Sequence, residues 1–483
     1  MYLGLDLGTS GLKALLMDGD QRVIGTATAP LAVSRPHPGW SEQDPAAWIS
    51  ALEQTLDTLA RDHRSALAAV RGIGLSGQMH GATLLDAADR VLRPCILWND
   101  TRSAAQAARL DSDPRFRRIS GNIVFPGFTA PKLVWVAEQA PDLFARIAKV
   151  LLPKDYLRLW LTGEHVSDMS DAAGTSWLDT GARDWSDDLL EATGLGRDQM
   201  PRLVEGTEVS GKLRGALADR WGMGGSVVVA GGGGDNAVSA VGAGTIAPGS
   251  AFVSLGTSGV LFAAIERYLP APESAVHAFC HALPGLWHQM GVILSASSAL
   301  DWFARISRST AAELLAEFGE GPQAPGGVTF LPYLSGERTP HNDADIRGAF
   351  VGLAHEDDRA ALTRAVLDGV AFALRDNLEA LRAAGTDISR VTAVGGGSRA
   401  HRWIEAIANA LDLSVDLPAK GESGAAFGAA RLGLIAATGA DPRTVCTPPP
   451  IECTIEPARA LRGAYEDAYR RYRALYPALA AVR

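Results

Sequence analysis

The sequence predicts an α/β protein made of two related domains that face each other across a cleft. Three observations carry that expectation. Strand-like and helix-like hydrophobic patterns are mixed along the whole chain. Leu7-Gly8-Thr9-Ser10-Gly11 returns 248 residues later as Leu255-Gly256-Thr257-Ser258-Gly259, again between strand patterns. The 52 glycines among 483 residues gather in clusters that follow strand patterns. A chain this long forms two or three domains, or one two-lobed unit. Its 47% hydrophobic content excludes disorder, and no Gly-X-Y period supports a collagen-like class.

The elements follow in order. Tyr2 to Leu7, Leu12 to Met17 and Arg22 to Ala29 alternate like strands and are separated by turn residues, which predicts an antiparallel meander. A helix is expected from Pro45 to about Arg61, then a buried strand from Val70 to Leu75. Helical patterns dominate roughly 101–222. A short strand, Val227 to Ala230, runs into four glycines, and strands return at 250–264. From Asp358 to Ala384, Leu362, Val366, Val370, Leu374, Leu378 and Leu381 fall on one helical face. A strand (391–394), a glycine turn, a helix (398–411), a strand (413–417) and a helix (424–436) follow, and 457–480 reads as a closing helix. The small-residue segment 240–250 is the expected boundary, giving domains 1–245 and 246–483.

Composition narrows the function. The formal charge of −9 disfavours nucleic-acid or anionic-membrane partners, which need a basic field. Only six of the 45 basic residues are lysine. Cys95, Cys280, Cys446 and Cys453 have neither disulfide-framework nor zinc-ribbon spacing and fit a reducing cytosol. No signal peptide or membrane span is read, so a cytoplasmic location is expected.

The glycine clusters carry the chemistry. A turn of glycine and small hydroxyl residues lets backbone N–H groups approach phosphate oxygens. Two such turns could grip a polyphosphate from both sides. Asp6 precedes the first copy, whereas Ser254 stands at the matching place in the second. Only the first copy therefore offers a carboxylate, placed to hold Mg²⁺ through oxygen ligands. No Walker A motif is present, since Gly211-Lys212 is followed by leucine. Gly231 to Gly234 present Asp235 at a helix start, where it is either an ordinary N-cap or a general base for a hydroxyl nucleophile, the glycines in the second case letting a substrate come close. Gly395-Gly396-Gly397-Ser398-Arg399-Ala400 formally matches a dinucleotide fingerprint. Too little chain follows it for two mononucleotide-binding halves, so it is read as a turn against the adenosine of a nucleotide. Gly77-Gln78-Met79-His80-Gly81 suits either a loop over a small polar ligand or a surface turn. Trp98-Asn99-Asp100 with Arg102, and Gly336 to His341, form two further polar knots. His277, His281, His288 and Cys280 have no complete metal-ligand spacing and are read as packed sheet residues.

These residues resemble the sugar kinase/actin/chaperone ATPase superfamily. Gly127 to Gln139 is similar to the first signature of the FGGY carbohydrate kinases at every position. Gly348 to Asp368 resembles the second and departs from it at Ala361. Ser34 to Asp44, Gly77 to Gly81, Leu151 to Leu157, Ser167 to Thr175 and Leu334 to His341 are similar to the bacterial members that act on D-xylulose. The resemblance spans essentially the whole chain. It implies two ribonuclease H-like domains flanking a catalytic cleft, and ATP-dependent phosphorylation of D-xylulose to D-xylulose 5-phosphate. The alternative is a related pentulose or polyol, of the ribulose, arabitol or glycerol type.

Site roles follow as expectations. Gly8, Thr9, Ser10, Gly11, Lys13, Gly256, Thr257 and Ser258 face the phosphates of ATP, while Gly395, Gly396, Gly397 and Arg399 border the rest of the nucleotide. Met79, His80, Asn236, Trp98 and Asp100 take the sugar. Asp6 and Asp235 are the metal-side and catalytic carboxylates, with Asp235 the proton acceptor and Mg²⁺ the ion. The partners are small molecules, the ketopentose and ATP, and a homodimer is compatible with the sequence. A chaperone-like ATPase on the same scaffold is disfavoured by Asp235 and by the lack of a separate peptide-binding domain.

Overall fold

A computed structural model describes residues 1–318, 321–419, 421 and 424–482. Two seven-stranded sheets organise them. The first begins with the antiparallel meander Tyr2–Leu7, Gly11–Met17 and Val23–Pro30. Gly72–Gly77 and Val228–Ala230 extend it in parallel. The second repeats the plan, with Ala251–Leu255, Gly259–Ile265 and Trp287–Ile293 antiparallel, then Arg390–Val394 and Ser414–Pro418 parallel. A long helix separates the meander from the parallel strands in each half, Pro45–Asp62 in the first and Arg359–Ala383 in the second. Both start where an Asp caps them: Asp44 accepts from the Ala46 N–H and Asp358 from the Ala361 N–H. The ribonuclease H-like pair expected from the sequence is thus present.

Strand alternation decides which face meets the cleft. Leu3, Leu5 and Leu7 join Trp48, Leu52 and Leu56 of the first long helix in one core. Tyr2, Gly4 and Asp6 therefore point the other way, toward the second domain. Lys13 and Ser76 pair with Asp6 across the neighbouring strands and share its face. In the second sheet Ala251, Val253 and Leu255 enter the core, and Phe252 and Ser254 face the cleft.

Two helices fill the space between the sheets, Asp235–Ala243 and Ala425–Thr438. The former packs Ala240 against Phe252 and Phe262 of the second sheet. The latter lies on the first sheet, where a Cβ at Gly4, Gly72 or Gly74 would strike the backbone of Ala426, Gly433 or Ala429. Gly428 likewise lets the two helices touch, since a Cβ there would meet the backbone at Val238 and Gly242.

The region read as helical, 101–222, also contains short strands. Lys149–Leu151 pairs with Thr83–Leu85, and Arg202–Val204 with Val166–Asp168. Strands of three residues are too short to show a period. The helix expected from 398 begins instead as a 3₁₀ turn, Gly396–Arg399, before His401–Leu411.

Candidate active site

Both Gly-Thr-Ser turns sit between their strands as expected. In the first, the Gly8 N–H donates to the Gly11 carbonyl at 3.0 Å; in the second, the Gly256 N–H donates to the Ser258 carbonyl at 3.1 Å. The Thr9 hydroxyl donates to Gln78 Oε1 (3.0 Å) and accepts from the Trp98 indole N–H (2.9 Å). Gln43 Nε2 donates to the Thr9 carbonyl at 2.7 Å, and Gln78 Nε2 donates to Gln43 Oε1 at 2.9 Å. Thr257 and its neighbours are exposed. Their carbonyls hold the start of the Ser297–Ile306 helix, through Ser297 N–H to Gly256 and Ala296 N–H to Thr257, both at 2.9 Å.

Asp6 stands at the end of the first strand, and burial raises its carboxyl above the ordinary range despite Lys13. Asp235 opens its helix, with Gly234 as the cap residue. Its carboxyl is pushed up to about 6, first by burial and then by the negative charge of Asp6. Asn236 donates to Asp235 Oδ1 from its N–H (2.7 Å) and its Nδ2 (3.0 Å). Two desolvated carboxylates in each other's field suit a divalent cation. Among the described residues no three His, Cys, Asp or Glu side chains converge on one ion site. The remaining ligands would be phosphate oxygens and water, which is how Mg²⁺ is usually held. His277 and His288 are buried in strands as expected, whereas His281 is buried just beyond the His277–Cys280 strand, and burial lowers the pKa of each.

A cavity of about 520 Å³ opens beside His80. His80 adopts a left-handed backbone (φ 69°). Its carbonyl accepts from Lys132 Nζ (2.7 Å) and from the Thr129 hydroxyl (3.1 Å), and its ring stacks on Phe128 at 4.5 Å. Nδ1 lies 2.7 Å from the Gly174 carbonyl. A carbonyl only accepts, so Nδ1 carries the proton. Burial lowers the pKa to about 3, which keeps the ring neutral and leaves Nε2 as an acceptor. Trp98, Asn99 and Asp100 line the same cavity. The Asp100 carboxylate is already committed, accepting from Arg102 and from the Ser41 N–H. Glu337 and Arg338 close the cavity from the second domain. The Gly336-to-His341 motif contained both, but a linear sequence does not show which loop crosses the cleft. Gln43, Gln78 and Lys132 were also unassigned.

A second crevice, about 290 Å³, is lined by Asn236, Ser239, Phe252, Ser254, Val394, Gly395 and Gly424 among others. Asn236 therefore lies on the glycine-turn side rather than in the His80 cavity. Met79 is buried, its side chain pressed on Gly234. Gly396 is open to solvent, Gly397 packs toward Leu255 and Trp403, and Arg399 is exposed. The sequence suggested that the four glycines before Asp235 let a substrate come close; in the structure their missing side chains make room for the protein itself. A Cβ on Gly231 or Gly232 would strike the Glu205 or Leu75 carbonyl, and one on Gly233 or Gly234 would crowd Ser170 or Met79. They let the loop sink into the protein.

The N-terminal domain model of the FGGY family of carbohydrate kinases matches residues 1–242, and the C-terminal domain model matches residues 251–437. The chain belongs to the FGGY family of carbohydrate kinases. It is 49% identical to the xylulose kinase of Escherichia coli K12 over 482 residues, covering 99% of each chain. Among solved structures it is similar to one from Brucella ovis described as a xyloylose kinase, with TM-score 0.99, 69% identity and full coverage of both chains. It also matches the xylulose kinase of Rhodospirillum rubrum, with TM-score 0.92, 30% identity and 99% of each chain covered. In this FGGY chain the first signature supplies Phe128 and Lys132, which hold the His80 ring and carbonyl. The second spans the Ala349–Val351 strand and the start of the Arg359–Ala383 helix.

Proposed function

We propose that this FGGY kinase transfers the γ-phosphoryl group of ATP to D-xylulose, giving D-xylulose 5-phosphate, with Asp235 as general base. The observation that carries the residue assignment is the place of Asp235. On one side Gly234 rests on Met79, next to His80 of the larger cavity; on the other, Asn236 lines the crevice at the glycine turn. ATP lies in that crevice with its phosphates toward the two Gly-Thr-Ser turns. The ketose occupies the His80 cavity. His80 Nε2 accepts from a sugar hydroxyl, and Trp98 joins the sugar wall to the first turn. Asp235 uses the oxygen that Asn236 does not engage to take the proton of the terminal hydroxyl as it attacks phosphorus. Asp6 would hold Mg²⁺, whose charge offsets that of the phosphates when it is bound, while the free oxygen of Asp235 is kept for the proton. Holding both reactants in line, with water excluded by closure of the domains, supplies much of the rate.

We divide the chain at 245/246, in the link after the Asp235–Ala243 helix. Among the described residues no helix is long and apolar enough to cross a membrane; the cytoplasm, where ATP is available, is the compartment we propose. The test is ADP release across a panel of ketopentoses and polyols. D-Xylulose should give the highest kcat/KM, and a better ribulose, arabitol or glycerol substrate would move the assignment to the alternative. Asp235→Ala should lower kcat by about 10²–10⁴-fold while ATP still raises the unfolding temperature. A near-normal kcat would remove Asp235 as the base.

A further inference from the structure

Behind the loop that carries Asp235 lies a cluster of five charged side chains with no exposure: Lys154, Asp155, Arg158, Asp168 and Asp171. Lys154 Nζ is 2.6 Å from Asp155 Oδ1, 2.7 Å from Asp168 Oδ1 and 3.1 Å from Asp171 Oδ2. Arg158 Nη1 is 2.5 Å from Asp155 Oδ1. Burying so many charges is a poor route to stability, because apolar groups of similar volume do as well. The cluster has a second property: it reaches the catalytic loop at both ends. Arg158 Nη2 donates to the Gly231 carbonyl. The Ser170 hydroxyl donates to Asp168 Oδ2 at 2.5 Å and accepts the Gly234 N–H at 3.1 Å. Asp168 also caps its own turn, accepting from the Ser170 and Asp171 N–H groups.

The direction of these bonds is fixed. The Gly234 N–H can only donate to Ser170, and Asp168 already accepts two backbone N–H groups on Oδ2 and faces Lys154 with Oδ1, so the hydroxyl proton of Ser170 goes to Asp168. The lone pairs of Ser170 are then left for the Gly234 N–H, the last backbone donor before Asp235. We propose that Ser170, oriented by Asp168 and Lys154, is a positioning residue for Asp235, setting through the Gly234 N–H the direction in which that carboxylate is presented. Arg158 anchors the other end of the same loop at Gly231. This inference rests on the assignment of Asp235 as the base.

The experiment is a comparison of full-length variants by steady-state kinetics and calorimetry. Ser170→Ala should lower kcat by about 10- to 100-fold, the scale of a small misplacement of a catalytic group, with KM for ATP and D-xylulose within about twofold. Ser167→Ala is the control. It removes another buried hydroxyl of the cluster, bonded to Asp155 Oδ2 at 2.7 Å, that does not touch the loop. It should lower the unfolding temperature without lowering kcat. In an Asp235→Asn background, Ser170→Ala should cost nothing more, because its effect passes through Asp235. If the alanine variant does not fold, the near-isosteric Ser170→Cys takes its place. Parental kcat in the Ser170 variant, an equal loss in Ser167→Ala, or an additive loss in the Asp235→Asn background would each overturn the proposal. Retention of activity by Asp235→Asn alone would instead overturn the base assignment.

Discussion

The two Gly-Thr-Ser-Gly turns share a sequence and a place in their domains, yet they are wired to different parts of the molecule. The first is bound inward. Gln43 and Gln78 hold the carbonyl and hydroxyl of Thr9, and Trp98 ties that hydroxyl to the wall of the His80 cavity. The second is exposed and tied to the start of the Ser297–Ile306 helix. At the position ahead of each turn, facing the cleft, one domain has Asp6 and the other Ser254. The duplicated scaffold therefore gives two turns of one sequence in unlike surroundings, one tied to Gln43, Gln78 and Trp98 and the other to a helix start.

The sharpest break of this comparison is at the unequal position. Asp6→Ala should lower kcat by about 10²–10⁴-fold, the range for a group acting on the reacting atoms. Ser254→Ala should change kcat less than about threefold, as an uncharged group beside the nucleotide. Steady-state rates at saturating ATP and sugar decide it, and equal losses would mean that the two turns are used alike. The wiring itself is tested by paired substitutions. Thr9→Val removes the hydroxyl shared by Gln78 and Trp98 and should raise KM for both ATP and the ketose. Thr257→Val should raise KM for ATP alone. We expect effects of about tenfold, the worth of one lost hydrogen bond at an organised site.

Charge provides the next distinction. As the proposed base, Asp235 must be ionised to accept a proton, and its carboxyl is pushed up to about 6. The rate should therefore fall as pH drops through about 6. Asp6→Asn removes the neighbouring negative charge and should move that acid limb lower, measured as kcat/KM on whatever activity remains. Stability should move the opposite way. The folded pKa of Asp235 lies above the unfolded value, so folding takes up protons between roughly pH 4 and 6. Ionised Asp235 thus weakens the fold above pH 6, and this penalty disappears as pH falls through 6 toward 4. Asp235→Asn should unfold at a higher temperature than the parent at pH 8 in EDTA, with the difference shrinking below pH 6.

Much of this arrangement was legible in the chain. The Arg359–Ala383 helix was readable because Asp358 caps it and its apolar residues hold a helical period over many turns. The pairing of the domains was readable because the turn motif repeats. What stayed hidden depends on distance across the fold. Asn236 is adjacent to Asp235 in sequence but lines the crevice on the glycine-turn side. Glu337 and Arg338 face His80 from the other domain. Asp100 looks like a ligand by composition, yet Arg102 occupies its carboxylate. The cluster around Lys154 draws on residues that look unremarkable one by one in 153–172.

Glycine gives the smallest effect and the clearest contrast between its two uses. Gly4, Gly72 and Gly74 sit inside strands, where a missing side chain signals close backbone approach. They form the bed on which the Ala425–Thr438 helix rests. Gly74→Ala should force that helix off the sheet and destabilise the protein by about 1–3 kcal/mol, the usual scale of overpacking. Because this helix belongs to the second domain and the sheet to the first, closure and hence kcat should suffer with stability. Gly396→Ala meets no atom within 4 Å and has no positive φ. It should leave the unfolding temperature unchanged and alter KM for ATP by less than about twofold. A larger rise in KM, with stability intact, would mean that the nucleotide packs directly on Gly396, so its missing side chain serves the ligand as Gly74's serves the helix.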